Sequence, residues 1–245
     1  MNANGPQRSI ALVAASNYEL AATIKRLGLK PDGRTHVGHN AGCHVRAIVS
    51  GIGAHRTRLA LEDLFAIGEP GHVIDMGFAG GLDPSLWSGQ VLMFHTITNE
   101  RRSVAQIVDD GSVRLNHAAQ VEGGPALLTI DRVAGSVQEK RRLFETHAAA
   151  AVDMESYHVA RFASEHGVRL SVLRAIVDTA KMELPSVSAD WVKPDGTPAG
   201  ATVMRYMLAH PSEILTLLRL RRRAATASQA LSRHVEAALL ARNDF

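Results

Sequence analysis

The sequence predicts an α/β fold: a three-layer single domain built around a mixed, largely parallel central sheet. Three observations carry that expectation. Apolar runs of strand length alternate with capped, amphipathic helical segments from residue 10 to about residue 180. Several of these runs end in glycine-rich turns, as strands do when they hand over to helices on the faces of a sheet. The 245 residues are 46% hydrophobic but only 4% aromatic, so the core must be Val, Leu, Ile and Ala, the residues of sheets buried on both faces.

The elements follow in order. Ile10 to Ala15 is an uninterrupted apolar run and reads as a buried strand. Ser16 and Glu19 have capping-box spacing and open a helix to about Leu29. His44 to Ser50 alternates as a strand and ends in Gly51-Ile52-Gly53, with a helix over Ala54–Ile67. His72 to Met76 is a short strand running into Gly77-Phe78-Ala79-Gly80-Gly81. Val91 to Thr98 is a further strand, and residues 99–124 are polar, suited to a hairpin or an insertion. Ala126 to Ile130 is a strand, and Ser136 and Glu139 form a second capping-box pair. Ala149–Val152 and Leu170–Ile176 are strands flanking a helix over Glu155–His166.

Residues 181–201 break the alternation. Met182, Leu184 and Trp191 stand among Pro185, Pro194, Gly196, Pro198 and Gly200, which is turn chemistry. The span reads either as a lid over a site or as a surface connection. Residues 202–245 read as a helical segment interrupted at Pro211. Its cluster Arg219, Arg221, Arg222 and Arg223 adjoins Leu215, Leu217, Leu218 and Leu220. Such a helix either packs its leucine face on the domain or makes peripheral contact with an anionic membrane.

Composition narrows the function. A net charge of +3 does not argue for a nucleic-acid partner. One cysteine, Cys43, excludes an intrachain disulfide and fits a reducing compartment. No targeting segment stands out near the N-terminus, so a cytoplasmic location is expected. The twelve histidines lack metal-ligand spacing, and neither a metal nor a cofactor is expected. The spacings of a dinucleotide fingerprint, a P-loop and a hydrolase nucleophile elbow are missing as well.

The residues with chemistry fall beyond the carboxyl ends of the strands, where sheets of this class hold ligands. They are Glu19, the turns at Gly51 and Gly77, Asp131 to Val133, Met154-Glu155 and Asp178. Glu155 opens one helix, and Asp178 ends the following strand. A carboxylate accepts from a sugar hydroxyl pair, and a buried carboxyl keeps a proton to donate. Structural readings stand beside these. Asp178 suits a helix N-cap, Glu155 suits the positive end of a helix, and Met154 suits a core. Glu19 is the residue a capping box selects by itself.

Five segments together resemble the purine nucleoside phosphorylase and methylthioadenosine/S-adenosylhomocysteine nucleosidase superfamily. They are the Glu19 region, Ser50-Gly51-Ile52-Gly53, Gly77-Phe78-Ala79-Gly80-Gly81-Leu82, Val152-Asp153-Met154-Glu155 and Arg174-Ala175-Ile176-Val177-Asp178. They occur in the family's order. The C-terminal part, with Leu184-Pro185, Pro194-Asp195-Gly196 and the Leu/Arg helix, is more similar to hopanoid-associated phosphorylases, held to release adenine from an adenosylated hopanoid.

The resemblance implies cleavage of the N-glycosidic bond of an adenine nucleoside with an apolar 5′ group. It implies Asp178 as the acid at the base and Glu155 as the holder of the ribose hydroxyls. Met154 would pack on the ribose. Glu19 would activate water, with Arg174 orienting it or holding an anion. The main chain of Arg132 and Val133 would contact the base, and Phe78, Gly77 and Ile52 would complete the pocket. A homo-oligomer is also implied. Departures concern the nucleophile. Phe78 and Val177 stand where relatives often carry hydroxyls that hold phosphate, and Gln90 replaces a common Asp after Gly89. The residues lean towards water, the subgroup towards phosphate as co-substrate. Two other classes stay open: a non-catalytic nucleoside-binding protein and a membrane-associated scaffold led by the basic helix.

Overall fold

The computed structural model describes residues 8–117, 125–184 and 214–241, the last span with side chains from residue 218. Trp191 and most of the 181–201 span lie outside the described residues, as does Pro211. Along the chain run β1 (Arg8–Ala14), α1 (Asn17–Leu27), β2 (Lys30–Asp32), β3 (Thr35–Asn40), β4 (Cys43–Val49), α2 (Ala54–Ile67) and β5 (His72–Gly81). Then come β6 (Val91–Phe94), β7 (Thr96–Asn99), β8 (Ser103–Ile107), β9 (Val113–His117), β10 (Ala126–Thr129) and α3 (Val137–His147). The chain continues through β11 (Ala149–Asp153), α4 (Ser156–His166), β12 (Arg169–Asp178) and α5 (Ile214–Leu240).

The strands form one mixed sheet in the order β2-β3-β4-β1-β5-β11-β10-β7-β8-β9, with β12 paired to β5 and β6 paired to β12. The parallel ladders are β4-β1-β5-β12 in the middle and β7-β10-β11 beside it. The margins are antiparallel hairpins, and β11 meets β5 antiparallel at Gly80–Gly81. Side chains alternate across the sheet, which splits each strand between two cores. Ile10, Leu12 and Ala14 of β1 pack with Leu20 of α1 and Leu231 and Val235 of α5. Ala11 and Val13 pack on the other face with Leu61 and Leu64 of α2 and Phe162 of α4. Helix, sheet and helix therefore make the three expected layers. A smaller core joins Leu143 of α3 to Leu82, Leu128 and Ala149.

The differences from the sequence reading have local causes. The run Val91–Thr98 breaks at His95 because the chain changes neighbours there: β6 pairs with β12 and β7 with β10. The polar stretch after Asn99 is the β8–β9 hairpin. β2 and β3 escaped notice because they are polar and half exposed at a sheet margin. The second capping box is half formed. Ser136 Oγ accepts from Glu139 N at 3.1 Å, while the Glu139 side chain goes to Arg132. From Ala227 onward α5 lays an apolar face on the domain and is tied down by Arg26 to Ser232 and Glu236. Arg219, Arg221 and Arg222 point to solvent. No helix of the described residues is long and apolar enough to cross a membrane.

Candidate active site

A cavity of about 230 Å³ opens beyond the carboxyl ends of β1, β5, β11 and β12. Glu19, Glu155 and Asp178 all line it, with Ile52, Phe78, Arg132, Val133 and Met154. Eight of the ten residues singled out from the sequence thus meet at one place. Gly77 and Arg174 stand just behind the wall. Local folding explains the convergence. Antiparallel pairing of Val152 with Gly80 carries the Asp153-Met154-Glu155 turn to the end of β5. A register shift between Ile176 and Asp178 re-aims the end of β12 and sets Asp178 beside Gly80. A Cβ on Gly80 would sit 3.1 Å from Asp178 Oδ2 and 3.3 Å from Val152, so glycine keeps room for the acid.

Glu19 caps its helix with one carboxyl oxygen and meets β5 with the other. Its Oε2 accepts from Ser16 N at 2.7 Å and Ser16 Oγ at 2.9 Å, which is the helix cap. Its Oε1 accepts from Phe78 N at 2.8 Å. Burial outweighs the Phe78 amide, Arg174 and Ser16, which act the other way, and holds the Glu19 carboxyl above its ordinary value. Gly77 makes the approach of β5 to Glu19 feasible. A Cβ there would lie 2.8 Å from Glu19 Oε1 and 3.5 Å from Arg174 Nη1.

Arg174 is buried and fully occupied on one side. Nε donates to Asp153 at 3.0 Å, and Nη2 donates to Asp75 at 2.6 Å and to Ser156 Oγ at 2.7 Å. Nη1 donates to Leu173 O at 3.0 Å. Four of the five guanidinium donors are thus used, and the fifth is on Nη1, the nitrogen nearest Gly77 and Glu19. Asp75, Asp153 and Glu19 hold the guanidinium firmly charged.

Glu155 is the N-cap residue of α4, yet its side chain does not cap. Asp153 caps instead, accepting from Ser156 N at 3.1 Å and Ser156 Oγ at 2.5 Å. Glu155 is released to accept from Gly53 N at 3.0 Å across the cavity. Burial first, then the Asp153 charge, pushes its carboxyl up to about 8. Asp178 is also pushed up by burial. Its Oδ2 lies 2.5 Å from Lys140 Nζ, an ion pair without hydrogen-bond alignment. Arg132 turns its guanidinium outward to Glu100 and Glu139, so its side chain is held away by those partners. Gln90 belongs to the turn after Trp87 and is absent from the cavity lining.

Several residues of the site had not been singled out. Asp75 interrupts the apolar run His72–Met76, a signal that was readable. Thr129 Oγ1 donates to Asp153 Oδ1 at 2.7 Å and accepts from Tyr157 N, and nothing local marks it. Lys140 falls on the buried face of α3 with Leu143, and a lysine on an apolar face is the mark it carries.

The sequence profile of the Phosphorylase superfamily matches residues 9–209. The 5′-methylthioadenosine/S-adenosylhomocysteine nucleosidase of Marinomonas sp. (strain MWYL1) is 26% identical over 181 residues, covering 64% of this chain and 78% of that protein. The futalosine hydrolase of Helicobacter pylori strain 26695 superposes with a TM-score of 0.68 at 16% identity, over 96% of this chain and 97% of that one. A mutant of the Helicobacter pylori methylthioadenosine nucleosidase, with 5′-methylthioadenosine in its active site, gives a TM-score of 0.65 at 18% identity, over 94% and 99%. With more than four-fifths of its length inside the family profile and the fold in agreement, the chain belongs to the Phosphorylase superfamily and is an enzyme of N-glycosyl bond cleavage.

Proposed function

We propose that the chain is a purine nucleosidase that hydrolyses the N-glycosidic bond of adenine nucleosides bearing an apolar 5′ substituent. One observation carries the reading. Four carboxyl groups, Glu19, Asp153, Glu155 and Asp178, line a single cavity, while the Arg174 guanidinium behind its wall is engaged by Asp75 and Asp153. A phosphate entering here would meet the Glu19 carboxylate that serves as base, and like charges at close range repel. Water meets no such barrier.

The steps follow from the groups present. As the C1′–N9 bond lengthens, its electron pair moves into the purine and positive charge grows on the ribose. Asp178 passes its proton to N7 of the departing base. Burial favours the protonated carboxyl that this needs. Glu155 holds the ribose hydroxyls, and its negative form is favoured as the ring becomes cationic. Glu19, fixed by three donors, takes a proton from the water that adds to C1′. The products are adenine and the free sugar.

Substrate class rests on the lining. Phe78, Val177, Ile52, Met154 and Leu184 give the cavity an apolar part. A 5′ group buried there gains about 25 cal/mol per Å². The names of the Marinomonas relative and the Helicobacter pylori ligand support an adenine nucleoside with a 5′ thioether. Steady-state kinetics on adenosine, 5′-methylthioadenosine and a long-chain 5′-alkyl adenosine test the reading. KM falls along that series. A preference for adenosine sinks the apolar-pocket assignment.

A further inference from the structure

We propose that Lys140 is a positioning residue for the acid step, fixing the Asp178 carboxyl and stabilising the carboxylate left when its proton passes to the leaving base. The inference rests on the reading of Asp178 as the acid.

Lys140 has no exposed surface at all, though it is a lysine in the first turn of an otherwise polar helix. Its ammonium donates to Thr179 O at 3.1 Å and to Met182 O at 2.7 Å. Its third neighbour is Asp178 Oδ2 at 2.5 Å. Burying an ammonium is costly, and an apolar side chain of similar volume packs at least as well. Packing alone therefore does not call for a lysine. The partners give the reason: two are carbonyls of the segment that follows Asp178, and one is the acid. Leu184 N donates to Gly135 O at 2.9 Å, so this segment is pinned to the start of α3 twice. Lys140 grips Asp178 and the chain behind it together.

The charge acts where it is needed. Proton transfer breaks the O–H bond of Asp178 and makes an N7–H bond on the base, leaving a carboxylate in a buried wall. The Lys140 ammonium sits against that carboxylate without moving. Other charges face the acid too. Arg223 of α5, in contact with Met182 Sδ, adds a weaker positive field. Glu19 of α1 and Asp153 of β11 supply negative charge in the same cavity, and Glu155 at the start of α4 faces it as a carboxyl that burial holds towards its protonated form.

The test uses the pH profile of adenine release from 5′-methylthioadenosine. A general acid is active below its pKa and fails as pH rises through it. Loss of the neighbouring cation raises that pKa by about 1–3 units, so the alkaline limb moves up. Lys140→Gln keeps a donor for the two carbonyls without the charge, and Lys140→Met removes both. Either variant should shift the limb upward and lower kcat by about 10–10²-fold. Lys140→Arg keeps the charge, and its limb should stay near that of the wild type. In an Asp178→Asn background, Lys140→Gln should cost nothing further. A folded Lys140→Gln or Lys140→Met protein with an unmoved limb overturns the proposal, as does an Arg variant displaced like the uncharged ones. Failure of the wild-type protein to cleave any adenine nucleoside overturns it together with the proposed function.

Discussion

Replacing Gly77 with alanine should disable the enzyme while leaving its base pocket intact. The added Cβ would stand 2.8 Å from Glu19 Oε1 and 3.4 Å from its carboxyl carbon. An ordinary carbon–oxygen contact needs several tenths of an ångström more. Glu19 cannot swing aside freely, because Ser16 N, Ser16 Oγ and Phe78 N hold it at 2.7, 2.9 and 2.8 Å. The contact that gives way is the one from Phe78, whose amide lies next to the new methyl. A hydrogen bond to a charged group is worth about 1.5–3 kcal/mol net, so stability should fall by that amount. A base displaced by up to about 1 Å costs on the order of 10²-fold in turnover. Two assays read the effect: a denaturant melt and the rate of adenine release. Affinity for free adenine, which meets Asp178 and not Glu19, should change little. A folded Gly77→Ala protein with wild-type turnover refutes the assignment of Glu19 to the nucleophile.

Two further substitutions bear on the other carboxylates. Asp178→Asn removes the transferable proton, and turnover should drop by about 10²–10⁴-fold with the fold retained. Near-normal turnover removes Asp178 from the mechanism. Glu155→Gln tests the elevated pKa through stability. With a folded value of about 8 against the ordinary value of 4.5, the folded state keeps a proton that the unfolded chain has lost between those pH values. Stability contributed by Glu155 is therefore fully present below the lower pKa and is lost as pH rises to the upper one. At about 1.4 kcal/mol per unit, the loss is on the order of a few kcal/mol. Glutamine cannot ionise, so thermal melts of Glu155→Gln between pH 5 and pH 9 should lack that slope. An equal slope in both proteins shows that Glu155 is ionised in the folded state.

Much of this fold could be read from the chain because its strands are buried on both faces. The helix Ala54–Ile67 was legible to the residue, since glycines mark both of its ends. β2 and β3 were not, because a polar margin strand leaves no periodic signal. The break at His95 also left none, since a change of strand neighbour is a property of the sheet. The same distinction holds in the site. Glu19, Glu155 and Asp178 were visible because each ends or follows a strand. The division of labour among the acids was not. Whether Asp153 or Glu155 caps α4 depends on Arg174 and Thr129, which lie in β12 and β10. The buried Asp75–Arg174–Asp153 cluster joins three strands far apart in the chain. Only tertiary contact shows that Arg174 is already engaged.

Water as the nucleophile separates a nucleosidase from a phosphorylase. Cleavage of 5′-methylthioadenosine in phosphate-free buffer made with oxygen-18 water, followed by mass analysis of the sugar, addresses it directly. Hydrolysis leaves one labelled oxygen on C1′ of the released sugar, at a rate unchanged by added phosphate. Cleavage that requires phosphate and yields a sugar 1-phosphate would contradict it.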